Sequence, residues 1–179
     1  MPFSKADMLR LFQQLNAELA SGKVSGEIYL VGGAVMCLVH EARLSTRDLD
    51  GVFRPVRAIR EAAQRVAAAN NLADDWLNDA VKRYLSTEGD FVPFVSLSNL
   101  QVLTATPEYL LAMKCLAMRL GAEFHDQDDA RFLLRYLNIT RYQTALDIIS
   151  RYYPIDRIPQ KTLYALEELL PDSDLSSSR

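Results

Sequence analysis

The stretch from Glu27 to Phe53 narrows what this chain can fold into more than any other. Glu27-Ile28-Tyr29-Leu30-Val31 is a short β-rich run that ends on Gly32-Gly33. Ala34 to Glu41 is helix-compatible, and Asp48-Leu49-Asp50-Gly51-Val52-Phe53 alternates as a second strand. Residues i and i+2 of a strand point to the same face, so Asp48 and Asp50 project side by side. Their charges repel unless a cation sits between them. Paired oxygen ligands suit a hard divalent ion, Mg²⁺ where phosphates complete the shell. Gly32-Gly33 at a strand-to-helix junction lets the backbone come close to a phosphate, and the amides at the helix start can donate to it. Each half alone has a plain explanation, since Gly-Gly is a common turn and Asp-x-Asp a common solvated edge. Their order along the chain points to a phosphate-and-metal site.

The flanking segments supply a core for such a site. Lys5 to Leu19 places Met8, Leu9, Leu11, Phe12, Leu15 and Leu19 at helical spacing, with Ser4 as N-cap and Gly22 as stop. Val56 to Asn70 reads as a helix with Pro55 at its start. Between Asn71 and Ser98 the pattern is mixed. Trp76 opens a short helix to about Leu85, with Trp76 itself a buried aromatic, and Phe91 to Val95 is a strand candidate interrupted by Pro93. Leu100 to Thr104 is a better strand. Thr106-Pro107 caps a helix to about Leu120, and three more follow over Asp126–Leu137, Arg141–Arg151 and Gln160–Leu170.

The fold expected is therefore α+β: a small mixed β-sheet core flanked by helices over 1–105, then a helical C-terminal bundle packed on it over 106–171. A flexible, Ser-rich tail covers 172–179. With 179 residues, 49% of them hydrophobic, the chain is long enough for one solid core and short for two independent domains. No apolar run approaches the roughly 20 residues that span a bilayer, and an acid falls where a signal peptide would begin its apolar segment. Cys37 and Cys115 sit in apolar helix-like stretches and read as buried thiols. A cytoplasmic protein without membrane contact is the expectation. There is no Ser-His-Asp arrangement, Walker A loop or zinc cluster, and His40 has neither metal spacing nor a nucleophile beside it.

Val31-Gly32-Gly33-Ala34 followed by Arg43-Leu44-Ser45-Thr46-Arg47-Asp48-Leu49-Asp50 resembles the signature of the DNA polymerase β-like nucleotidyltransferase superfamily. It is most similar to the AbiEii-type and other minimal nucleotidyltransferases, many of them toxins of bacterial toxin–antitoxin or abortive-infection systems. The resemblance covers the N-terminal core and, more loosely, the helical half to about Leu137. It implies transfer of a nucleoside monophosphate from an NTP to an acceptor hydroxyl. Asp48 and Asp50 would hold Mg²⁺, with Mn²⁺ as an alternative, while Gly32, Gly33, Thr46 and Arg47 bind the nucleotide. It also implies a tRNA 3′ end or a protein side chain as acceptor, and a cognate antitoxin as partner.

Lys114 lies inside an apolar helical stripe, between Leu110 and Leu111 on one side and Ala117 and Met118 on the other. Burying an ammonium without a partner is costly, so either its stem snorkels to the surface or its charge meets an anion. In the family a Leu-x-x-x-Lys helix places a lysine beside the nucleotide phosphates, and Leu110-Leu111-Ala112-Met113-Lys114 is similar. Asp126 and Asp129 fit the two acids that follow in those toxins, although His125 stands where an Arg is usual. Asp126 is equally a natural N-cap for its helix. Superfamily members often carry a third carboxylate on a later strand, but Leu100 to Thr104 has none, and Asp90 lies nearby in a loop. Asp126 or Asp129 fills that role, or the site works with two. The gap leaves a second reading, a degenerate nucleotidyltransferase fold that binds without catalysis. A third is a nucleotidyltransferase acting on a small molecule.

The formal net charge of −3 excludes a generic basic coat for nucleic acid. Between residues 43 and 65, however, Arg43, Arg47, Arg54, Arg57, Arg60 and Arg65 face only Asp48, Asp50 and Glu61. A phosphate-bearing acceptor could find a local basic surface there.

Overall fold

The computed structural model describes residues 2–119 and 125–170; the expected tail over 172–179 and the helix end near Leu120 lie outside them. The chain is α+β, and the described residues hold seven α-helices, a five-stranded mixed sheet and a two-stranded one. They form two compact units. The first comprises residues up to Arg83 together with Phe91–Ala105; the second comprises Tyr84–Asp90 with the residues from Thr106 onward.

In the first unit, β1 (Phe3–Ser4) leads into α1 (Lys5–Ser21) through a reciprocal capping box. The Ser4 hydroxyl accepts the Asp7 amide at 3.2 Å, and the Asp7 carboxylate accepts the Ser4 amide at 3.0 Å. Next come β2 (Gly26–Leu30), α2 (Gly32–Leu38), β3 (Ser45–Thr46), β4 (Leu49–Arg54), α3 (Val56–Asn70) and β5 (Leu77–Asn78). The last strands of the unit are β6 (Phe91–Ser96) and β7 (Leu100–Ala105). The large sheet runs β5-β4-β2-β7-β6, with β2 antiparallel to β4 and parallel to β7. The small sheet pairs Phe3 with Thr46 and Ser4 with Ser45.

Alternation sorts the sheet's side chains. Ile28, Leu30, Leu49, Phe53, Leu100 and Val102 are buried on one face. A Cβ on Gly26, two residues before Ile28, would meet Ile59 of α3, so α3 covers this face. The opposite face carries Glu27, Tyr29, Asp50, Val52 and Leu103, all half-buried, with Arg54 and Gln101 exposed.

Two segments depart from the sequence expectation. Residues from Leu77 do not open a helix: Leu49 donates its amide to the Trp76 carbonyl at 2.8 Å, and Leu77–Asn78 pairs in parallel with β4. A 3₁₀ turn over Ala80–Tyr84 follows. Trp76 is buried, its indole N–H donating to the Ala63 carbonyl of α3 at 3.1 Å. The second departure is β6, which runs through Pro93 without a break. An edge strand has one side of its backbone unpaired, and the register shift between Pro93 and Val95 absorbs the missing N–H.

The second unit holds α4 (Pro107–Ala117), α5 (Asp126–Tyr136), α6 (Tyr142–Ser150) and α7 (Gln160–Leu169); α4 packs on α5 and α6, and its Tyr109 meets the rings of Tyr152 and Tyr153. Tyr109 is fully buried, its hydroxyl accepting the Ser86 amide at 2.9 Å, and the Tyr153 hydroxyl donates to the Tyr84 carbonyl at 2.6 Å. These bonds pin residues 84–90 to the helices. No helix among the described residues is long and apolar enough to cross a membrane.

Candidate functional site

Hydrogen bonding of β2 to β4 draws the Gly-Gly turn and the carboxylate strand together. The ladder pairs Leu30 with Gly51, and the Val31 amide extends it by donating to the Asp50 carbonyl at 2.9 Å. The chain then turns into α2 at Gly32, whose φ of +65° lies in the left-handed region that favours glycine. A Cβ built on Gly32 would lie 3.4 Å from Oδ2 of Asp50, so that carboxylate oxygen stands against the turn. Val31, the N-cap of α2, makes no side-chain capping bond.

Gly33 faces the other side of the loop. A Cβ there would come within 2.8 Å of Thr46 Oγ1 and 3.2 Å of an Arg43 guanidinium nitrogen. Thr46, buried in β3, donates its hydroxyl to the Asp48 carbonyl at 3.1 Å and so fixes the backbone between the two acids. Asp48 is exposed immediately before β4, and Asp50 is half-buried as its second residue. Arg47 is exposed at the bend.

Gly32, Gly33, Thr46, Asp48 and Asp50 thus meet in one place, with Arg47 beside them. Asn78 also belongs here: it pairs with Asp50 across β4 and β5, and parallel partners share a face. The sequence hid it because Leu77-Asn78 looked helical. Tyr29 is a further neighbour, visible only once the register of β2 on β4 is known.

Could this place hold a divalent cation? Asp48 and Asp50 are hard oxygen donors two residues apart, and Gly32 puts no side chain between the turn and Asp50 Oδ2. Mg²⁺ is commonly held by one or two carboxylates with substrate phosphates and water completing the octahedron, so the pair fits. Among the described residues there is no group of three or more His, Cys, Asp or Glu side chains that could hold a metal ion.

Lys114, Asp126 and Asp129 belong to the second unit and form a cluster of their own. Lys114 Nζ lies 3.2 Å from Asp126 Oδ1 and 2.7 Å from Asp129 Oδ2, with its side chain only 11% exposed. Its ammonium therefore meets anions inside the protein and does not snorkel. Asp126 is the first residue of α5, not its cap; His125 occupies that position without a side-chain capping bond. The Asp126 carboxylate also accepts from Arg119, at 3.0 Å from Nε and 3.2 Å from the backbone amide. Two cations and an amide outcompete a single capping bond. Burial alone would raise the Asp126 pKa, but Arg119 and Lys114 outweigh it and hold the carboxyl below its ordinary value. Arg119 was missed in the sequence because nothing in its spacing distinguishes it from a solvated arginine. Asp90 is exposed in the second unit.

The arginine run from 43 to 65 is mostly consumed in structural pairs. Arg57 binds Glu61 at 2.7 Å, Arg60 binds Asp79 at 2.7 Å, and Arg65 binds Glu18. Arg54 lies over the ring of Tyr29, 5.5 Å from its centroid. The basic surface left near Asp48 is smaller than composition suggested, with Arg47 the exposed arginine beside it. A cleft of about 460 Å³ lined by Glu18, Gly22, Val24, Glu61 and Arg65 lies along α1 and α3, on the helices rather than at Asp50.

No family model, curated protein or solved structure matches the chain.

Proposed function

We propose that the first unit is the catalytic part of a nucleotidyltransferase, which transfers a nucleoside monophosphate from an NTP to an acceptor hydroxyl. The acceptor oxygen forms a bond to the α-phosphorus, the bond from that phosphorus to the bridging oxygen breaks, and pyrophosphate leaves. The observation that carries this reading is Asp50 Oδ2 standing against the left-handed Gly32, with Asp48 two residues before it.

Asp48 and Asp50 would hold a divalent cation, which when bound offsets phosphate charge and lowers the pKa of a hydroxyl beside it. The backbone at Gly32 and Gly33, which carries no side chain of its own, would seat the β- and γ-phosphates. Thr46 positions Asp48 through its backbone, and Arg47 adds positive charge at the rim. Catalysis of this kind consists mostly of positioning and charge neutralisation. The family resemblance adds a tRNA 3′ end or a protein hydroxyl as acceptor, and a toxin's role with an antitoxin as partner.

The test is incubation with Mg²⁺, labelled NTPs and total RNA or lysate. Label transfer that disappears in Asp48→Ala and Asp50→Asn supports the proposal; transfer that survives Asp48→Ala overturns it. Nucleotide binding without transfer to any acceptor identifies a degenerate, non-catalytic fold, and label on a low-mass product identifies a small-molecule acceptor. Lys114→Met belongs in the same series. Loss of transfer with an unchanged melting curve assigns Lys114 to the chemistry, and loss of both assigns it to the fold.

A further inference from the structure

The half-buried face of the sheet does not end at Asp50. Tyr29 on β2 stands opposite Val52 on β4, and Asp50 lies two residues before Val52 on the same face. Tyr29 and Asp50 are therefore diagonal neighbours, about 7–8 Å apart and within reach of an aromatic side chain. The ring is held from several sides. Its hydroxyl donates to Glu27 Oε2 at 2.7 Å, Arg54 lies over it, and Phe91 meets it at 5.2 Å with an interplanar angle of 81°. An aromatic fixed in this way loses little freedom when something packs on it.

We infer that Tyr29 and the sheet face around it form the subsite for the nucleoside ring of the NTP, beside the phosphates held at Gly32, Asp48 and Asp50. This rests on the nucleotidyl-transfer reading and names a residue that contacts the substrate within it. The charge on this face fits an uncharged ring better than another phosphate. Glu27 stands opposite Arg54 in the ladder, so the one cation is matched by an anion. The bond to Glu27 also holds the Tyr29 phenol above its usual pKa, so the ring stays neutral. Val52 and Leu103, paired with Tyr29 from either side, add apolar surface for a ring's face. Glu27 and Arg54 offer an acceptor and donors to its edge. Three carbon-bearing neighbours and a balanced ion pair suit a base, whereas a polyphosphate needs the glycine turn.

Calorimetric titration of the full chain in Mg²⁺ tests this with two ligands: a non-hydrolysable nucleoside triphosphate analogue, and inorganic tripolyphosphate, which lacks the ring. Tyr29→Leu should weaken the analogue about tenfold, the scale of one lost base–aromatic contact, and leave tripolyphosphate within about twofold. Tyr29→Phe, which keeps the ring and gives up the Glu27 bond, should stay within about threefold of wild type for both. An analogue affinity untouched by Tyr29→Leu overturns the inference. So does an equal loss for both ligands, because Tyr29 would then be supporting Asp50 and not touching a ring. If Tyr29→Leu does not fold, the wild-type ratio decides, since an analogue no tighter than tripolyphosphate leaves no ring subsite. Wild-type protein that binds neither ligand sinks the parent reading; tripolyphosphate bound without any gain from the nucleoside sinks this one alone.

Discussion

Lys114 on α4 shares its ammonium between two carboxylates of α5, with Nζ 2.7 Å from Asp129 Oδ2 and 3.2 Å from Asp126 Oδ1. Asp126 and Asp129 are three residues apart, one helical turn, so both reach back to the same point on α4. All three side chains are largely removed from water, which makes the cluster costly to break from one side. Lys114→Met takes the shared cation from two buried carboxylates, of which Asp126 keeps Arg119, and should cost about 3–5 kcal/mol, the range for losing one partner of a buried pair. Asp129→Asn, which keeps a hydrogen-bond acceptor, should cost about 1–3 kcal/mol. Urea denaturation of the three proteins checks the order. A Lys114→Met chain as stable as wild type would mean that the cluster contributes nothing to folding.

The same cluster sets an acid limit. Asp126 has its folded pKa lowered below the ordinary 3.8. Between those two values the unfolded chain binds more protons than the folded one, so stability rises with pH. The stabilisation is complete well above pH 3.8 and is lost as pH falls through the lowered folded value. Asp126→Asn should therefore flatten the fall in stability below about pH 4 and leave the slope between pH 6 and 8 unchanged. Urea midpoints measured across that range decide it, and an unaltered acid slope counts against the pairing with Arg119 and Lys114.

What the sequence revealed, and what it withheld, follows the range of the forces involved. Ser4, Gly22 and the apolar spacing of Lys5–Leu19 are local signals, and α1 forms where they place it. Asp50 was legible because alternation within β4 sets it on the face opposite Leu49, whereas Asp48 falls just before the strand, where alternation no longer fixes its side. Asn78 and Tyr29 were not legible, because each becomes a neighbour of Asp50 only through a pairing between strands distant in sequence. Trp76-Leu77-Asn78 read as helix for want of any local sign that β4 would accept it as a partner. The anion for Lys114 was foreseeable from the cost of burying an ammonium. That Asp126 would supply it, rather than cap α5, depended on Arg119 and Lys114 converging on one carboxylate.

The two thiols offer a probe of opening. Cys37 and Cys115 are both free and buried, and burial pushes Cys115 up to about 12. A thiol reagent needs the thiolate, which is scarce in both folded environments. Native protein at pH 8 should react slowly, at the rate of the opening that exposes each cysteine, and denatured protein should release two equivalents at once. Stopped-flow traces with an aromatic disulfide reagent check this. A rapid full equivalent from native protein would contradict the burial of one thiol.

Gly33 and Thr46 should behave as a coupled pair. A methyl group at position 33 would stand 2.8 Å from Thr46 Oγ1, closer than real Cβ contacts allow, and 3.2 Å from an Arg43 nitrogen. Thr46 cannot withdraw freely, because its hydroxyl donates to the Asp48 carbonyl and its backbone pairs with Phe3. Gly33→Ala should therefore cost about 1–3 kcal/mol, the scale of overpacking a fixed site. Removing the obstructing oxygen with Thr46→Ala makes room for the methyl at the expense of the bond to Asp48. In that background Gly33→Ala should cost about 1 kcal/mol less, a coupling typical of residues in contact. The thermodynamic cycle of four proteins, measured by urea denaturation, reads this directly. Strict additivity would show that the methyl is accommodated by a shift of the Gly-Gly turn. On the proposed nucleotidyl-transfer function, Mg²⁺ affinity should then fall even with Thr46 in place, because the turn would have moved relative to Asp50.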